Sequence, residues 1–254
     1  MKIYKIIIVN ILCTFFFIKS FASDAQQVFT DANQAFQKGD FSLATQKYED
    51  ILRGDIGSKE LYFNLGNSYF RLNQTGKSIL NYERALRFSP SDGDIQSNLL
   101  VAQTRISENI EPISQVFFVR WWQILRGQMS ADLWSSLGLI FLWVGISGLA
   151  FWFLDKERTR KKQGFLTAAI LIPLSILLFL LAKSANSEAT TDRFAVVIIP
   201  ETPFRPAPDA SVLPTAIIHE GVKVEILDNI QDLVKVRLPN GEEGWLLMSG
   251  LEKI

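Results

Sequence analysis

The sequence predicts a multi-domain fold: an α-helical repeat solenoid, then a two-helix transmembrane hairpin, then a small all-β barrel. Three observations predict it. Residues 24–106 repeat themselves at a period of 34, and two uncharged apolar blocks follow between residues 133 and 182. From residue 191 the pattern changes to short alternating runs separated by turn residues. A chain of 254 residues is long enough for such small domains together with membrane segments.

The first element is read as a secretory signal over residues 1–22. Lys2 and Lys5 precede the apolar run IIIVNILCTFFFI, and Ser20-Phe21-Ala22 puts small residues where a signal peptidase cuts. Cys13 is preceded by Asn10, Ile11 and Leu12, with no small residue just ahead of it, which argues against a lipoprotein signal. Cleavage after Ala22 would remove the only thiol.

The second element is the repeat array, with repeats over about 25–58 and 59–92 and a capping helix that ends near 106. Ala32, Asn33, Phe36, Ala44, Tyr48, Glu49 and Leu52 recur 34 residues later as Gly66, Asn67, Phe70, Ser78, Tyr82, Glu83 and Leu86. Small residues (Ala32, Gly66, Ala44, Ser78, Ala85) fall where two antiparallel helices must approach closely, and Tyr48, Tyr69 and Tyr82 fill the space beside them. Pro90 stops the last helix of the second copy. In that copy Tyr62, Leu65, Gly66, Tyr69, Ser78, Tyr82, Ala85 and Pro90 resemble the tetratricopeptide (TPR) repeat signature position by position. The first copy resembles it through Ala32, Gly39, Phe41, Ala44, Tyr48 and Ile51, with Ala35 in place of Tyr69. After Pro90, Ile95, Leu99 and Ala102 have helical spacing behind an acidic turn, as expected of a helix that covers the last apolar face.

The TPR resemblance implies that the first helix of each repeat lines a concave surface. Phe29, Asn33, Phe36, Gln37, Phe63, Asn67, Phe70 and Arg71 are then the candidate partner groove, although Asn64 and Asn67 also fit the general repeat consensus. Gly76-Lys77-Ser78 looks like the end of a phosphate-binding loop, but position 71 is Arg rather than Gly and no strand precedes it; it is read as a turn between helices.

Residues 113–130 mix Phe117, Phe118, Trp121, Trp122, Ile124 and Leu125 with Arg120 and Arg126, a composition suited to an amphipathic helix in the headgroup layer. A helix packed on the array or on a partner is the competing expectation. Residues 133–154 and 165–182 carry no charge and are long enough to be two transmembrane helices, with Pro173 tolerable inside the second. Between them, residues 155–164 hold Lys156, Arg158, Arg160, Lys161 and Lys162 against Asp155 and Glu157, so this basic loop is expected in the cytoplasm. Both flanking domains are then expected on the periplasmic side of a bacterial inner membrane, with membrane lipid as one partner.

Residues 191–254 contain FAVVII, VKVEIL and LVKVRL between Pro-rich, Asp-Asn and Asn-Gly turns, and the alternation gives each strand one buried face. Arg205, Pro208, Glu220, Gly221, Gly241, Gly244, Trp245 and Leu251 resemble the bacterial SH3-like domain, with Val224 and Val236 as core positions. Leu233 stands where members of that family often carry an aromatic, which weakens the case for an aromatic ligand groove. Pro203-Phe204-Arg205-Pro206 is read as a loop of the domain itself and not as an SH3 ligand.

Lys plus Arg equals Asp plus Glu at 26 each, so no basic face for a nucleic acid is expected. One cysteine and one histidine, His219, exclude a disulfide scaffold and a Cys/His metal site. No nucleophile elbow, phosphate loop or charge within either apolar block supports an enzyme or a transporter, and no cofactor is implied. The order of parts resembles the BatE family of bacterial aerotolerance-operon proteins. That resemblance implies a non-enzymatic envelope scaffold whose partners are other envelope proteins, including von Willebrand A-type Bat proteins. A sensor whose SH3-like domain grips peptidoglycan or a peptide is the alternative.

Overall fold

The computed structural model describes residues 25–54, 56–106, 117–190, 193–209 and 211–254. The proposed signal segment, Cys13 and the start of the 113–130 segment lie outside the described residues. The described residues open with five helices: α1 over 25–37, α2 (Phe41–Leu52), α3 (Lys59–Arg71), α4 (Thr75–Phe88) and α5 (Gly93–Gln103).

The repeat is physical as well as textual. The turns α1–α2 and α3–α4 each contain one residue with positive φ, Gly39 (83°) and, 34 positions later, Asn73 (58°). Both are residue types that reach the left-handed region at low cost. Ser58 caps α3 by accepting from Leu61 N, and 34 positions later Asp92 caps α5 by accepting from Asp94 N and Ile95 N. Helix α5 is therefore in register to open a third repeat, and Ile95 and Leu99 are buried as Leu61 and Leu65 are. Leu100 occupies the place of Gly66. At Gly66 a Cβ would lie 2.7 Å from the Tyr82 ring, so the helix after it approaches only because that position is glycine.

Two long helices follow a short one. Helix α6 (Phe117–Arg126) leads into α7 (Ala131–Leu154), which packs antiparallel on α8 (Arg158–Thr190). Both α7 and α8 are long and apolar enough to cross a membrane, and only 17% and 28% of their most apolar stretches are buried within the protein. Such exposure is opposite to that of a core helix in a water-soluble domain. Small residues let the two approach: a Cβ on Gly148 would lie 2.8 Å from Gly164 O, and one on Gly145 would lie 2.7 Å from Ile172. Helix α8 runs through Pro173, and it begins at Arg158, so Arg158, Arg160, Lys161 and Lys162 belong to its first turns.

The C-terminal region differs from the closed barrel expected. Strands β1 (Phe194–Val197), β4 (Lys223–Ile230), β5 (Leu233–Arg237), β6 (Glu243–Leu247) and β7 (Leu251–Lys253) form one antiparallel sheet in the order β6-β5-β4-β1-β7. Strands β2 (Glu201–Phe204) and β3 (Ala216–His219) form a second, joined to the first by the bridge between Arg205 and Trp245. The sheet stays open because β7 has three residues, pairs with β1 on one side, and meets α4 beyond its end. There Arg84 donates to Lys253 O (2.5 Å), so a helix side chain satisfies an outer-edge carbonyl that a further strand would have used, and Arg87 donates to Ile254 O just beyond the strand. Val224, Val236, Leu246 and Phe204 form the core of this region, and Gly244 is small because a Cβ there would lie 2.4 Å from the Phe204 ring.

The β region is docked on α4. Glu220 Oε2 accepts from Gly76 N (3.0 Å), Lys223 pairs with Glu83 (2.8 Å), and Arg84 pairs with Glu252 (3.0 Å). Beneath these, Val196 and Ile254 share one apolar cluster with Ile79, Leu80, Tyr82, Ala85, Ile95, Leu99 and Ala102. The approach is close: a Cβ on Gly76 would lie 2.7 Å from Val197 O, and one on Gly221 (φ 94°) 3.0 Å from both Ile79 and Ile106. Gly76→Leu is expected to undock the β region at a cost of roughly 1–3 kcal/mol. Limited trypsin digestion then releases a fragment starting after Arg193 at a protease level that leaves the parent intact.

The candidate partner surface of the repeat array

The eight residues expected to line the concave groove all lie on α1 and α3, but most are already committed within the fold. Asn33 Oδ1 accepts from Tyr48 Oη (2.5 Å) and from Asn64 Nδ2 (3.0 Å). One period later Asn67 Oδ1 accepts from Tyr82 Oη (2.7 Å). The rings repeat as well, with Phe29 against Tyr48 at 5.8 Å and Phe63 against Tyr82 at 6.0 Å between centroids. Each Phe-Asn-Tyr set ties the first helix of a repeat to its second by one ring contact and one hydrogen bond. Phe36 meets Phe41 edge-on, the Arg71 guanidinium sits 4.4 Å from the Phe41 ring centroid, and Arg105 lies 3.5 Å over Phe70. Gln37 is exposed.

On this face a hollow of about 270 Å³ is lined by Phe29, Lys59, Glu60, Phe63, Asn64, Asp92, Asp94 and Ile95. Phe29 and Phe63 are therefore brought to it, whereas Asn33, Phe36, Gln37, Asn67, Phe70 and Arg71 do not line it. Its charged rim was not singled out from the sequence. The available signal was the cap register: Asp92 is the N-cap of α5, and its carboxylate accepts from Lys59 Nζ (3.2 Å) at the head of α3. That hydrogen bond holds the Lys59 ammonium above and the Asp92 carboxyl below their ordinary ranges.

The packing positions form the interior of the array. Ala32, Ala44, Tyr48, Leu65, Gly66, Tyr69, Ser78, Tyr82 and Ala85 are buried, Tyr62 and Pro90 half-buried. Ser78 Oγ donates to Gly66 O (2.9 Å) and Tyr69 Oη to the Glu49 carboxylate. In the β region Val224, Val236, Gly244 and Trp245 are buried, Leu251 is half-buried, and Gly221 and Gly241 take positive φ at turns. His219 sits on edge strand β3 with its Nε2 3.9 Å from Glu201. Among the described residues no group of three His, Cys, Asp or Glu side chains converges to hold a metal ion.

Burial raises the Tyr48 and Tyr82 phenols from 10.0 to about 12, and burial together with the Glu49 carboxylate raises Tyr69 as well. A raised folded-state value favours the neutral phenol in the native array, so this stabilisation is fully present below pH 10.0 and is lost as pH climbs toward about 12. Tyrosinate absorbance from Tyr48 and Tyr82 is expected to rise only in that window, together with loss of helical circular dichroism. Tyr48→Phe and Tyr82→Phe should each remove one late-titrating phenol.

Residues 59–92 match the tetratricopeptide repeat family, and no curated protein matches the chain. The match spans α3, α4 and the Asp92 cap, the copy in which the signature residues are densest. The chain is thus a TPR-containing protein, a class associated with protein–protein interaction.

Proposed function

We propose that this protein is a non-enzymatic, membrane-anchored scaffold. In this reading α7 and α8 span a bacterial inner membrane as a hairpin, and the TPR array and an SH3-like β region face the periplasm. One observation carries the proposal: the array is fastened to the same end of the apolar hairpin as the β region, with a cluster of five basic residues at the other end. Helix α7 enters from the array side through α6, and α8 leaves toward β1, so an antiparallel pair brings both soluble parts to one side. Lys156, Arg158, Arg160, Lys161 and Lys162 cluster at the opposite turn, which favours retention of that turn in the cytoplasm.

Helix α6 fits the headgroup layer. Trp122 and Leu125 pack on Trp134, Leu178 and Leu181 of the hairpin, and Trp122 Nε1 donates to Ser184 Oγ (3.2 Å). Phe117, Phe118, Trp121 and Ile124 stay exposed at 80%, 65%, 57% and 55%. Rings left uncovered beside the end of a membrane hairpin suit lipid contact. The partners proposed are other envelope proteins, among them von Willebrand A-type Bat proteins, in a stress-related complex.

Two measurements test this. In a Cys13→Ser chain, single cysteines at Ser97 and Glu242 are expected to react with a membrane-impermeant maleimide in spheroplasts, and one at Lys156 only after lysis. Labelling of Lys156→Cys in intact spheroplasts overturns the orientation. Native extraction in mild detergent is expected to recover a defined complex that Gly66→Leu, which disrupts the α3–α4 packing, abolishes. A solitary protein in both samples rejects the scaffold.

A further inference from the structure

A larger cavity than the hollow on the α1–α3–α5 face lies elsewhere on the array. It is a cleft of about 950 Å³ on the opposite side of the array, between α2 and α4, floored by α3 and closed at one end by residues 252–254. Its volume lies at the upper end of the ~300–1,000 Å³ found for ligand clefts. The array supplies most of the wall, and the docked β region supplies only the end formed by Glu252, Lys253 and Ile254.

The lining is cationic. Arg53, Lys77, Arg84, Arg87 and Lys253 face the carboxylates of Glu49 and Glu252 across it. Both carboxylates are already engaged, Glu49 by the Tyr69 hydroxyl and Glu252 by Arg84 (3.0 Å), and Arg53 is paired with Asp50 (2.6 Å). Lys77 has no carboxylate partner among the described residues; its ammonium lies 5.2 Å from the Tyr69 ring centroid.

A second observation is independent of charge. Asn81 lines the same cleft and is 3% exposed; its Nδ2 donates to Lys77 O (2.8 Å), while its Oδ1 accepts from no group among the described residues. The donation to a carbonyl fixes which end of the amide is which, since exchanging them would set oxygen against oxygen. A buried acceptor left unpaired carries a desolvation penalty that a donor from a ligand would relieve.

We infer that this cleft binds an acidic peptide segment of a partner protein, with main-chain N–H groups reaching Asn81 Oδ1 and a carboxylate reaching Lys77. A peptide supplies N–H donors and negative charge on one scaffold; inorganic phosphate supplies chiefly acceptors. The inference rests on the scaffold reading for its biological setting but stands on a separate face of the array from the groove discussed above.

The test uses the full chain in detergent micelles and a fluorescein-labelled peptide of alternating Glu and Gly as the probe, read by fluorescence anisotropy. Saturable binding that weakens at high salt is expected, with none for a Lys-Gly peptide and no competition by inorganic phosphate at equal concentration. Lys77→Glu should weaken binding by about tenfold or more, because it turns an attraction into a like-charge contact. Asn81→Leu should weaken it by about fivefold while the melting temperature stays the same or rises, because it deletes an unpaired buried acceptor. Glu60→Lys, on the other face, should leave binding unchanged. Absence of saturable binding, or binding indifferent to both Lys77→Glu and Asn81→Leu, overturns the inference. If the complex recovered by native extraction survives both substitutions, a peptide-binding cleft is rejected while the scaffold stands. If no complex is recovered but the peptide binds as expected, the cleft stands and the scaffold falls.

Discussion

The structure depends on α4 being packed from two sides at once. One side closes on α3, where Gly66 makes room for the Tyr82 ring; the other receives the β region, where Gly76 makes room for the Val197 carbonyl. Thr75, Gly76, Ser78, Ile79, Leu80, Asn81, Tyr82 and Ala85 are all buried on this one helix. An amphipathic helix at the surface of a solenoid normally has a single apolar stripe. Here Tyr82 and Ala85 serve the repeat, while Ile79 lies against the Gly221 turn of the β region. A side chain gained at Gly66 or Gly76 would separate whole modules, because both contacts are made backbone to ring or backbone to backbone.

That arrangement also settles how the array ends. A solenoid must cover its last apolar face. Helix α5 starts a third repeat in register, but Leu100 takes the place of the small residue on which a following helix would close. Val196 and Ile254 instead join Ile95, Leu99 and Ala102 in one cluster, so strand residues do what a further helix does in a longer array. The same contact covers the outer edge of the sheet, since Arg84 takes the Lys253 carbonyl of β7. Cap and covered edge are two sides of one interface.

Polar residues divide according to whether the fold already uses them. Asn33 and Asn67 look like groove residues in sequence, yet each receives the tyrosine hydroxyl of its own repeat, at 2.5 and 2.7 Å. Their oxygens are satisfied before any partner arrives. Asn81 is the reverse: nothing in its spacing singles it out, but the fold buries it with an acceptor unanswered. Chemical identity is the same in all three, and only the surroundings separate a tie within the repeat from a position that asks for a ligand.

The repeat and the apolar hairpin were legible in the sequence because both are local. A period of 34 fixes small residues, aromatics and caps at equivalent places, and Ser58 with Asp92, Gly39 with Asn73 and Tyr48 with Tyr82 behave identically in space. Long uncharged runs likewise announce helices that present apolar faces in all directions. The β strands were legible by alternation, but closure was not, because alternation specifies a buried face and leaves open what meets the last edge. The docking of the β region, and the closure of one end of the cleft by its last residues, were decided by tertiary structure alone. Gly76 and Glu220, Glu83 and Lys223, and Arg84 and Lys253 are separated by 144, 140 and 169 residues. Contacts between single polar groups at such separations leave no periodic trace in a chain, and only the folded backbone brings them together.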